Sequence, residues 1–346
     1  MGLKRKSIAA LFVATIAAAG CGSDRATAPH PVSFDASDAL ARVEPVAAIF
    51  DQQIFSSFTG AEGFFESFFR SPITATLALT PRVRGGIQLG IARSPTLGAE
   101  RVPANTIPDD EKGKTFVWDA NTRMYVPDPT VVGAPALGVR FLLYVWDPVN
   151  GPILPLTRVG YVDIAPPDGA DASGDEAEVV IERDAPRAIV ADFVVSHRSS
   201  AGIDSFSIQG SATDTRTVAL IALDGTYGGA AGQHHLIFST NLSSSPPGVS
   251  TMEHLVYDQP TASQSGHLEL DYDGHRLTDE TVSTGADIKF DGNLYAHVLF
   301  STGVSDQTRY LHPDGTSLSS QEIASVNALL DRVVVTNFFW INLAYP

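Results

Sequence analysis

The 346-residue sequence is poor in cysteine, in charge and in long hydrophobic runs. Its single cysteine, Cys21, excludes a disulfide framework and any cysteine-based zinc cluster within one chain. Charged residues make up 18% and hydrophobic residues 44%, a balance that excludes an intrinsically disordered chain. Acidic residues outnumber basic ones by 39 to 23, so the net charge of −16 argues against nucleic acid as a partner.

Motifs of the common enzyme classes are missing as well. Gly113-Lys114-Thr115 ends like a phosphate-binding loop, but Pro108 occupies the position where that loop needs its first glycine. No Gly-x-Ser-x-Gly elbow, Ser-x-x-Lys or His-Glu-x-x-His pattern is present. We therefore expect a protein that is not an enzyme and needs no cofactor.

The N-terminus combines three basic residues with a short hydrophobic run. Lys4, Arg5 and Lys6 precede the run from Ile8 to Ala19. A membrane-spanning helix needs about 20 apolar residues, and this run is shorter. A basic start followed by a short apolar core and small residues is typical of a secretory signal.

The step that follows, Gly20-Cys21, resembles the lipobox of bacterial lipoprotein signals, although Ala18 stands where that family usually has leucine. The resemblance implies that residues 1–20 are removed and that Cys21 carries the lipid. Residues 21–33 would then form a tether, and the protein would be exported and anchored to a bacterial membrane, on the periplasmic side or the cell surface. An ordinary signal peptide cut near Ala26 or Ala28 is the alternative.

Loss of residues 1–20 removes three positive charges and changes the net charge from −16 to −19. A body of this charge is repelled by an anionic membrane surface. The lipid, and not electrostatic attraction, would therefore hold the protein at the membrane.

Helical patterns occur near both ends of the remaining chain. Apolar residues spaced by three and four predict a helix from Asp35 to Phe58, with a break or kink at Pro45. Ser319 and Glu322 have the spacing of a capping box and predict the start of a C-terminal helix. The apolar run at 337–345 predicts a last strand.

Between these regions the hydrophobic period is two, which predicts strands. Two runs, 139–146 and 218–223, are apolar on both faces and predict central strands covered on both sides. Four Asp-Gly pairs predict turns: Asp224-Gly225, Asp273-Gly274, Asp291-Gly292 and Asp314-Gly315. The expected fold is mainly β (α+β), a large antiparallel, curved sheet with N-terminal helices and one C-terminal helix.

Residues 34–346 are expected to form a single β-rich domain. The acidic, proline- and glycine-containing segment 166–176 is either a long loop within a continuous sheet or a boundary between two domains. We favour the loop, because strand patterns run directly on both sides of it.

The N-terminal helical region is unusually rich in phenylalanine. Seven of the 18 phenylalanines fall between residues 50 and 69. Such a segment either packs as a core helix on the sheet or forms the wall or lid of a cavity for an apolar ligand, such as a lipid. The candidate ligand-binding residues are Phe50, Phe58, Phe64, Phe65, Phe68 and Phe69.

A second candidate site lies on one predicted strand with acidic residues and histidines at alternate positions. These are His267, Glu269, Asp271, Asp273 and His275. Period two places alternate residues on one face until the chain turns, so His267, Glu269, Asp271 and His275 are candidate metal ligands. A solvated outer face of a half-buried sheet explains the same alternation without a ligand.

These observations favour a cell-envelope lipoprotein that binds an apolar ligand or a partner protein without catalysis. The alternative is a surface-tethered hydrolase that acts on glycans or esters through the acidic strand at 267–275. The lipid at Cys21 would be the contact with the membrane in either case.

Overall fold

The structure is a computed structural model that describes residues 34–65, 77–82, 86–91, 107–147, 150–168, 176–200, 203–228, 235–258, 263–282, 284–300 and 308–344. Residues 31–346 form one compact unit. Within the described ranges the chain is mainly β, with a large and mostly antiparallel sheet, two N-terminal helices and one C-terminal helix. This confirms the predicted fold class.

The helices are α1 (Ala36–Phe50), α2 (Gln53–Phe65) and α3 (Ser320–Ala344). The strands before residue 170 are β1 (Leu77–Arg82), β2 (Gly86–Ile91), β3 (Thr115–Asp119), β4 (Met124–Pro127), β5 (Val139–Tyr144), β6 (Trp146–Asp147), β7 (Gly151–Pro152) and β8 (Arg158–Ala165). The later strands are β9 (Glu176–Asp184), β10 (Arg187–Ser200), β11 (Ile203–Thr213), β12 (Val218–Gly228), β13 (His235–Ser244), β14 (Val249–Asp258), β15 (Ser263–Tyr272), β16 (His275–Val282), β17 (Gly285–Phe290), β18 (Asn293–Leu299) and β19 (Arg309–Leu311).

Fifteen strands form one sheet, in the order β19-β18-β17-β16-β15-β14-β13-β12-β11-β10-β9-β8-β5-β3-β4. From β8 to β19 each strand pairs antiparallel with the next strand of the chain, and the pairing of β3 with β5 is parallel. β8 and β9 pair directly, so the segment between them connects neighbouring strands of one sheet. The pairs β1–β2 and β6–β7 form two separate two-stranded sheets.

The helix boundaries follow partly from local chemistry. The Asp35 side chain caps α1 by accepting hydrogen bonds from the backbone N–H groups of Ser37 and Asp38. Of the break or kink predicted at Pro45, the break is wrong, because α1 continues through Pro45 and ends at Phe50. Pro45 lies on the exposed side of α1, where water can hydrate the carbonyl that loses its backbone donor.

The C-terminal helix confirms one expectation and corrects another. The Ser319 N–H donates to Glu322 Oε2 at 2.8 Å, and the Glu322 N–H donates to Ser319 Oγ at 3.2 Å, which is the predicted capping box. The predicted last strand at 337–345 is wrong, because α3 continues to Ala344. A short apolar run has no period that separates a strand from a helix, and here the helix begun at Ser320 continues through it.

The helices cover one face of the large sheet, which we term the inner face. It carries Phe193, Ile208, Leu223 and Phe238 on successive strands β10 to β13, each at most 1% exposed. The ring centroid of Phe58 in α2 lies 6.5 Å from that of Phe193. Burial of each large apolar side chain contributes roughly 2 kcal/mol to the free energy of unfolding, so this layer is the main core.

The opposite, outer face is exposed over much of the sheet. The run 139–146 is buried on both sides in β5, as predicted, with Leu142 6% exposed and Leu143 fully buried. The same expectation for 218–223 is wrong, because Val218 and Leu220 on the outer face of β12 are 43% and 57% exposed. Apolar content alone therefore overstates how much of the sheet is covered.

The predicted turn at Asp224-Gly225 is also wrong, since both residues lie inside β12. Gly225 pairs with Phe206 of β11, and a Cβ on Gly225 would lie 1.9 Å from Phe206 Cζ. The glycine is there to make room for a buried ring, and not to turn the chain. The pairs Asp273-Gly274 and Asp291-Gly292 do connect successive strands, as predicted.

Candidate functional site

The phenylalanines predicted to bind an apolar ligand are core residues where the structure describes their side chains. Phe58 is 3% exposed, and the half-buried Phe50 packs its ring 5.6 Å from that of Phe55. The backbone of α2 includes Phe64 and Phe65, but their side chains lie outside the described part. The remaining predicted residues, Phe68, Phe69 and Cys21, lie outside the described residues altogether.

The four residues predicted to bind a metal do not lie together. His267, Glu269 and Asp271 are on the outer face of β15. His275 pairs with Tyr272, which is 3% exposed on the inner side, and its ring stacks on Phe290 at a centroid distance of 5.2 Å. The turn at Asp273-Gly274 thus brings His275 to the opposite face. No group of three His, Cys, Asp or Glu residues that could hold a metal ion occurs in the described ranges.

Basic side chains already neutralise the carboxylates of this strand. Arg276 binds Asp271 through two hydrogen bonds of 2.7 and 2.8 Å and approaches Glu269 Oε1 at 3.1 Å. The hydrogen bond with Asp271 raises the pKa of Arg276 above its usual value. His267 Nδ1 lies 2.9 Å from Glu280 Oε1. A network of surface ion pairs accounts for the alternating pattern without a metal.

The strand register aligns polar residues across the outer face in a single line. Ten successive register partners, one from each strand from β9 to β18, are polar. We term them the polar row: Glu176, Ser196, Ser207, Asp224, Ser239, His254, His267, Glu280, Asp287 and His297. Because neighbouring strands lie about 4.8 Å apart, the row presents one polar side chain at roughly that interval.

Neighbours in the polar row are hydrogen-bonded in pairs. Ser196 Oγ and Ser207 Oγ are 2.7 Å apart. Ser239 Oγ lies 2.8 Å from His254 Nδ1. At the far end, His297 Nδ1 lies 2.6 Å from Asp287 Oδ1. These bonds orient the side chains and stiffen the surface of the sheet.

One end of the polar row opens into a groove of about 620 Å³. Its lining comes from β9 to β13: Glu176, Val194, Ser196, Arg198, Ser205, Phe206, Ser207, Gln209, Asp224, Gly225, Thr226, Ile237 and Ser239. The serines are half-buried, whereas Arg198, Gln209 and Asp224 are exposed. Short side chains therefore form the floor, and longer ones form the sides.

The charges around the groove are mostly negative. Arg198 Nη2 lies 3.6 Å from Glu176 Oε1, an ion pair at one side. The side-chain carboxylate of Asp224 forms no hydrogen bond or ion pair with any described residue. Glu178 stands next to Val194 in the strand register. Burial of its side chain raises the pKa of the Glu178 carboxyl, and the neighbouring Asp192 raises it further. The groove thus offers an accessible carboxylate together with a guanidinium, an amide and several hydroxyls.

The sequence pattern did not single out the groove residues. Alternation identifies which residues of β11 and β12 share a face, but the groove depends on which residue of one strand stands beside which residue of the next. That register is set by turns and long-range pairing. The serines and Asp224 are ordinary residues for a solvated strand, so their composition gives no further signal.

The Ser239–His254 pair has part of the geometry of a nucleophile and its base. Within the described ranges, however, His254 has no hydrogen bond to a carboxylate that would orient it. The backbone N–H groups of β12 to β14 are used in strand pairing, so they cannot stabilise an oxyanion. Among the described residues, the Ser239–His254 pair therefore has neither the third group of a catalytic triad nor an oxyanion site on these strands.

No helix in the described part of the chain has the length and hydrophobicity needed to cross a membrane. Comparisons of the chain with protein-family models, with curated proteins and with solved structures found no match.

Proposed function

We propose that this chain is a cell-envelope lipoprotein, exported and anchored through a lipid on Cys21, whose sheet binds a ligand without catalysis. The ligand occupies the groove on the outer face. The groove is the observation that carries the proposal, because 620 Å³ is within the range of ligand sites and its lining converges from five adjacent strands.

The site on the outer face has better support than the apolar cavity predicted from the phenylalanines. Phe58 packs against the sheet, and the inner-face residues Phe193 and Leu223 are at most 1% exposed. These side chains already have protein partners, so their burial needs no ligand. The sequence predicts an apolar ligand or a partner protein as the occupant, and the polar lining argues against the apolar ligand. We propose instead that a polar component of the envelope occupies the groove.

Support for the anchor comes from the sequence. The basic start, the short hydrophobic run and Gly20-Cys21 together have the form of a lipoprotein signal. Residues 21–33 would form the tether between the lipid and the β-rich domain. A single acyl chain gives only marginal membrane binding, and stable anchoring would need more than one on Cys21.

Blocking the groove tests the binding function. We expect Ser207→Trp, which places a large ring on the groove floor, to weaken binding to delipidated envelope fragments at least tenfold, or by about 1.4 kcal/mol. Co-sedimentation of the full-length chain in detergent micelles measures the affinity. Ser243→Trp, on the exposed outer face of β13 but outside the groove, is the matched control. Equal binding by the two variants would contradict the proposal.

Replacement of the cysteine tests the anchor separately. We expect Cys21→Ser to abolish incorporation of a palmitate analogue and to leave the protein as a precursor that retains residues 1–20. Metabolic labelling and mass spectrometry of the N-terminus measure both results. Cleavage of Cys21→Ser near Ala26 or Ala28 would instead indicate an ordinary signal peptide.

A hydrolase is the second candidate function. It is favoured by the hydrogen bond between Ser239 and His254, because Ser239 lines the groove. His267, which belongs to the predicted acidic strand, follows His254 in the polar row. Hydrolysis of nitrophenyl esters by the wild-type chain that is lost in Ser239→Ala and kept in Ser243→Ala would favour this function over simple binding.

A further inference from the structure

The charge around the groove restricts the ligand class. Glu176 and Asp224 line it, and the polar row continues to Glu280 and Asp287. The whole chain carries a net charge of −16. Phosphate-rich or carboxylate-rich ligands would be repelled both locally and at long range, so an anionic ligand is disfavoured.

The hydrogen-bonding groups of the groove are mixed. Arg198 and Gln209 can donate, Asp224 and Glu176 can accept, and the serine hydroxyls can do both. A purely cationic ligand would satisfy the carboxylates but would be repelled by Arg198 and would leave the other donors without acceptors. Sugar hydroxyls donate and accept at the same time, and they match such a mixed set of partners.

Three apolar residues complete the lining: Phe206, which is buried at 4% exposure, and the outer-face residues Val194 and Ile237. Val194 lies on β10 and Ile237 on β13, on opposite sides of the polar row in the strand register. Ile237 is 39% exposed. A sugar ring has C–H faces as well as hydroxyl edges, so the exposed aliphatic groups can contact those faces while the hydroxyls bind the polar row.

The polar row also extends beyond the groove in one direction. From Ser239 it continues through His254 and His267, one residue per strand. A row with a polar group at roughly 4.8 Å intervals suits an extended ligand with a regular repeat of hydroxyl groups. We infer that the groove binds a neutral oligosaccharide that lies across the strands; this inference rests on the proposed binding function of the groove.

Calorimetry with defined hexasaccharides tests this inference. The probes are cellohexaose, maltohexaose and chitohexaose, titrated into the full-length chain in detergent micelles. We expect at least one to bind, with an affinity at least tenfold lower in Ser207→Trp and unchanged in Ser243→Trp. The corresponding monosaccharide should bind at least tenfold more weakly than the hexasaccharide, because the ligand continues along the polar row.

The outcomes separate this inference from the function on which it rests. Absence of binding by all three hexasaccharides overturns the oligosaccharide inference, while groove-dependent sedimentation with envelope fragments would still support the binding function. Groove-dependent binding of spermine without binding of any sugar would assign a cationic ligand instead. If Ser207→Trp binds the hexasaccharides and the envelope fragments as tightly as Ser243→Trp does, both the inference and the proposed function are overturned.

Discussion

Replacing Gly210 with alanine is expected to lower the free energy of unfolding by about 3 kcal/mol or more. Gly210 lies in β11 opposite Phe193 of β10. An added Cβ would lie 2.2 Å from the carbonyl oxygen of Asp192 and 2.4 Å from Phe193 Cα. Both atoms belong to the backbone of the neighbouring strand, so no side-chain rotation relieves the overlap and the two strands must separate.

A second glycine supplies the matched control. Gly266, in β15, also lies in the large sheet, but the nearest atom to its added Cβ is Leu255 Cδ1 at 3.4 Å. We expect Gly266→Ala to change the free energy of unfolding by less than about 1 kcal/mol. Urea denaturation followed by circular dichroism measures both variants. Similar midpoints for the two would show that β10 and β11 are not in this close contact.

Gly210→Ala should also change the shape of the groove, because Gln209 and Val194 lie beside this contact and line the groove. A variant that stays folded at low temperature should therefore also lose affinity for the envelope fragments. Gly266→Ala lies outside the lining and should keep it. The comparison links the packing of the two strands to the shape of the binding surface.

Features that depend on neighbouring residues in the sequence could be predicted from the sequence. The capping box of Ser319 and Glu322 is such a case, because both hydrogen bonds join residues three positions apart. The turns after Tyr272 and Phe290 are others, since Asp-Gly pairs adopt tight hairpin turns with little strain. The mainly β fold follows from the sum of many such local signals.

Features that depend on tertiary contacts could not be predicted. Gly225 has the sequence context of a turn, and only the ring of Phe206 on the adjacent strand explains its place within β12. The line from Ser207 to Asp224 and Ser239 exists because three strands have a particular register. Alternation within one strand shows which residues share a face, but the residue that stands opposite each of them is set by the turns and the neighbouring strand.

Asp279, on the inner face, is a carboxyl group whose ionisation should affect stability. Asp279 of β16 stands between Leu268 and Ile288 in the register, and both of these are at most 8% exposed. Burial raises the pKa of Asp279 from 3.8 to about 6, and the hydrogen bond from Thr281 Oγ1 at 3.0 Å partly opposes this increase. The nearby Glu280 raises the pKa further.

The sign of the pH dependence follows from the direction of this shift. The folded state holds the proton more tightly than the unfolded state, whose carboxyl has a pKa near 3.8. The contribution of Asp279 to stability is fully present below pH 3.8 and is lost as the pH rises through about 6. A difference of about two pKa units corresponds to ~3 kcal/mol, and partial exposure of the side chain reduces this value.

Replacing Asp279 with asparagine should remove this dependence. Asparagine cannot ionise, and its carbonyl oxygen can still accept the hydrogen bond from Thr281. We expect Asp279→Asn to raise the free energy of unfolding by roughly 1–3 kcal/mol at pH 7.5 and to have little effect below pH 4. Urea denaturation at a series of pH values measures the gain.

The neighbouring residue Glu280 provides a control on the other face of the sheet. Its carboxylate is exposed and pairs with His267, so Glu280→Gln should change stability by less than about 1 kcal/mol. If Asp279→Asn lowers stability at pH 7.5 but has little effect below pH 4, the ionised carboxylate makes a favourable contact and the shift of its pKa has the opposite sign. An equal loss at every pH would show that ionisation of Asp279 is not linked to folding. If both variants show the same pH dependence, the surface charge of the sheet governs it, and the inner face contributes no separate effect.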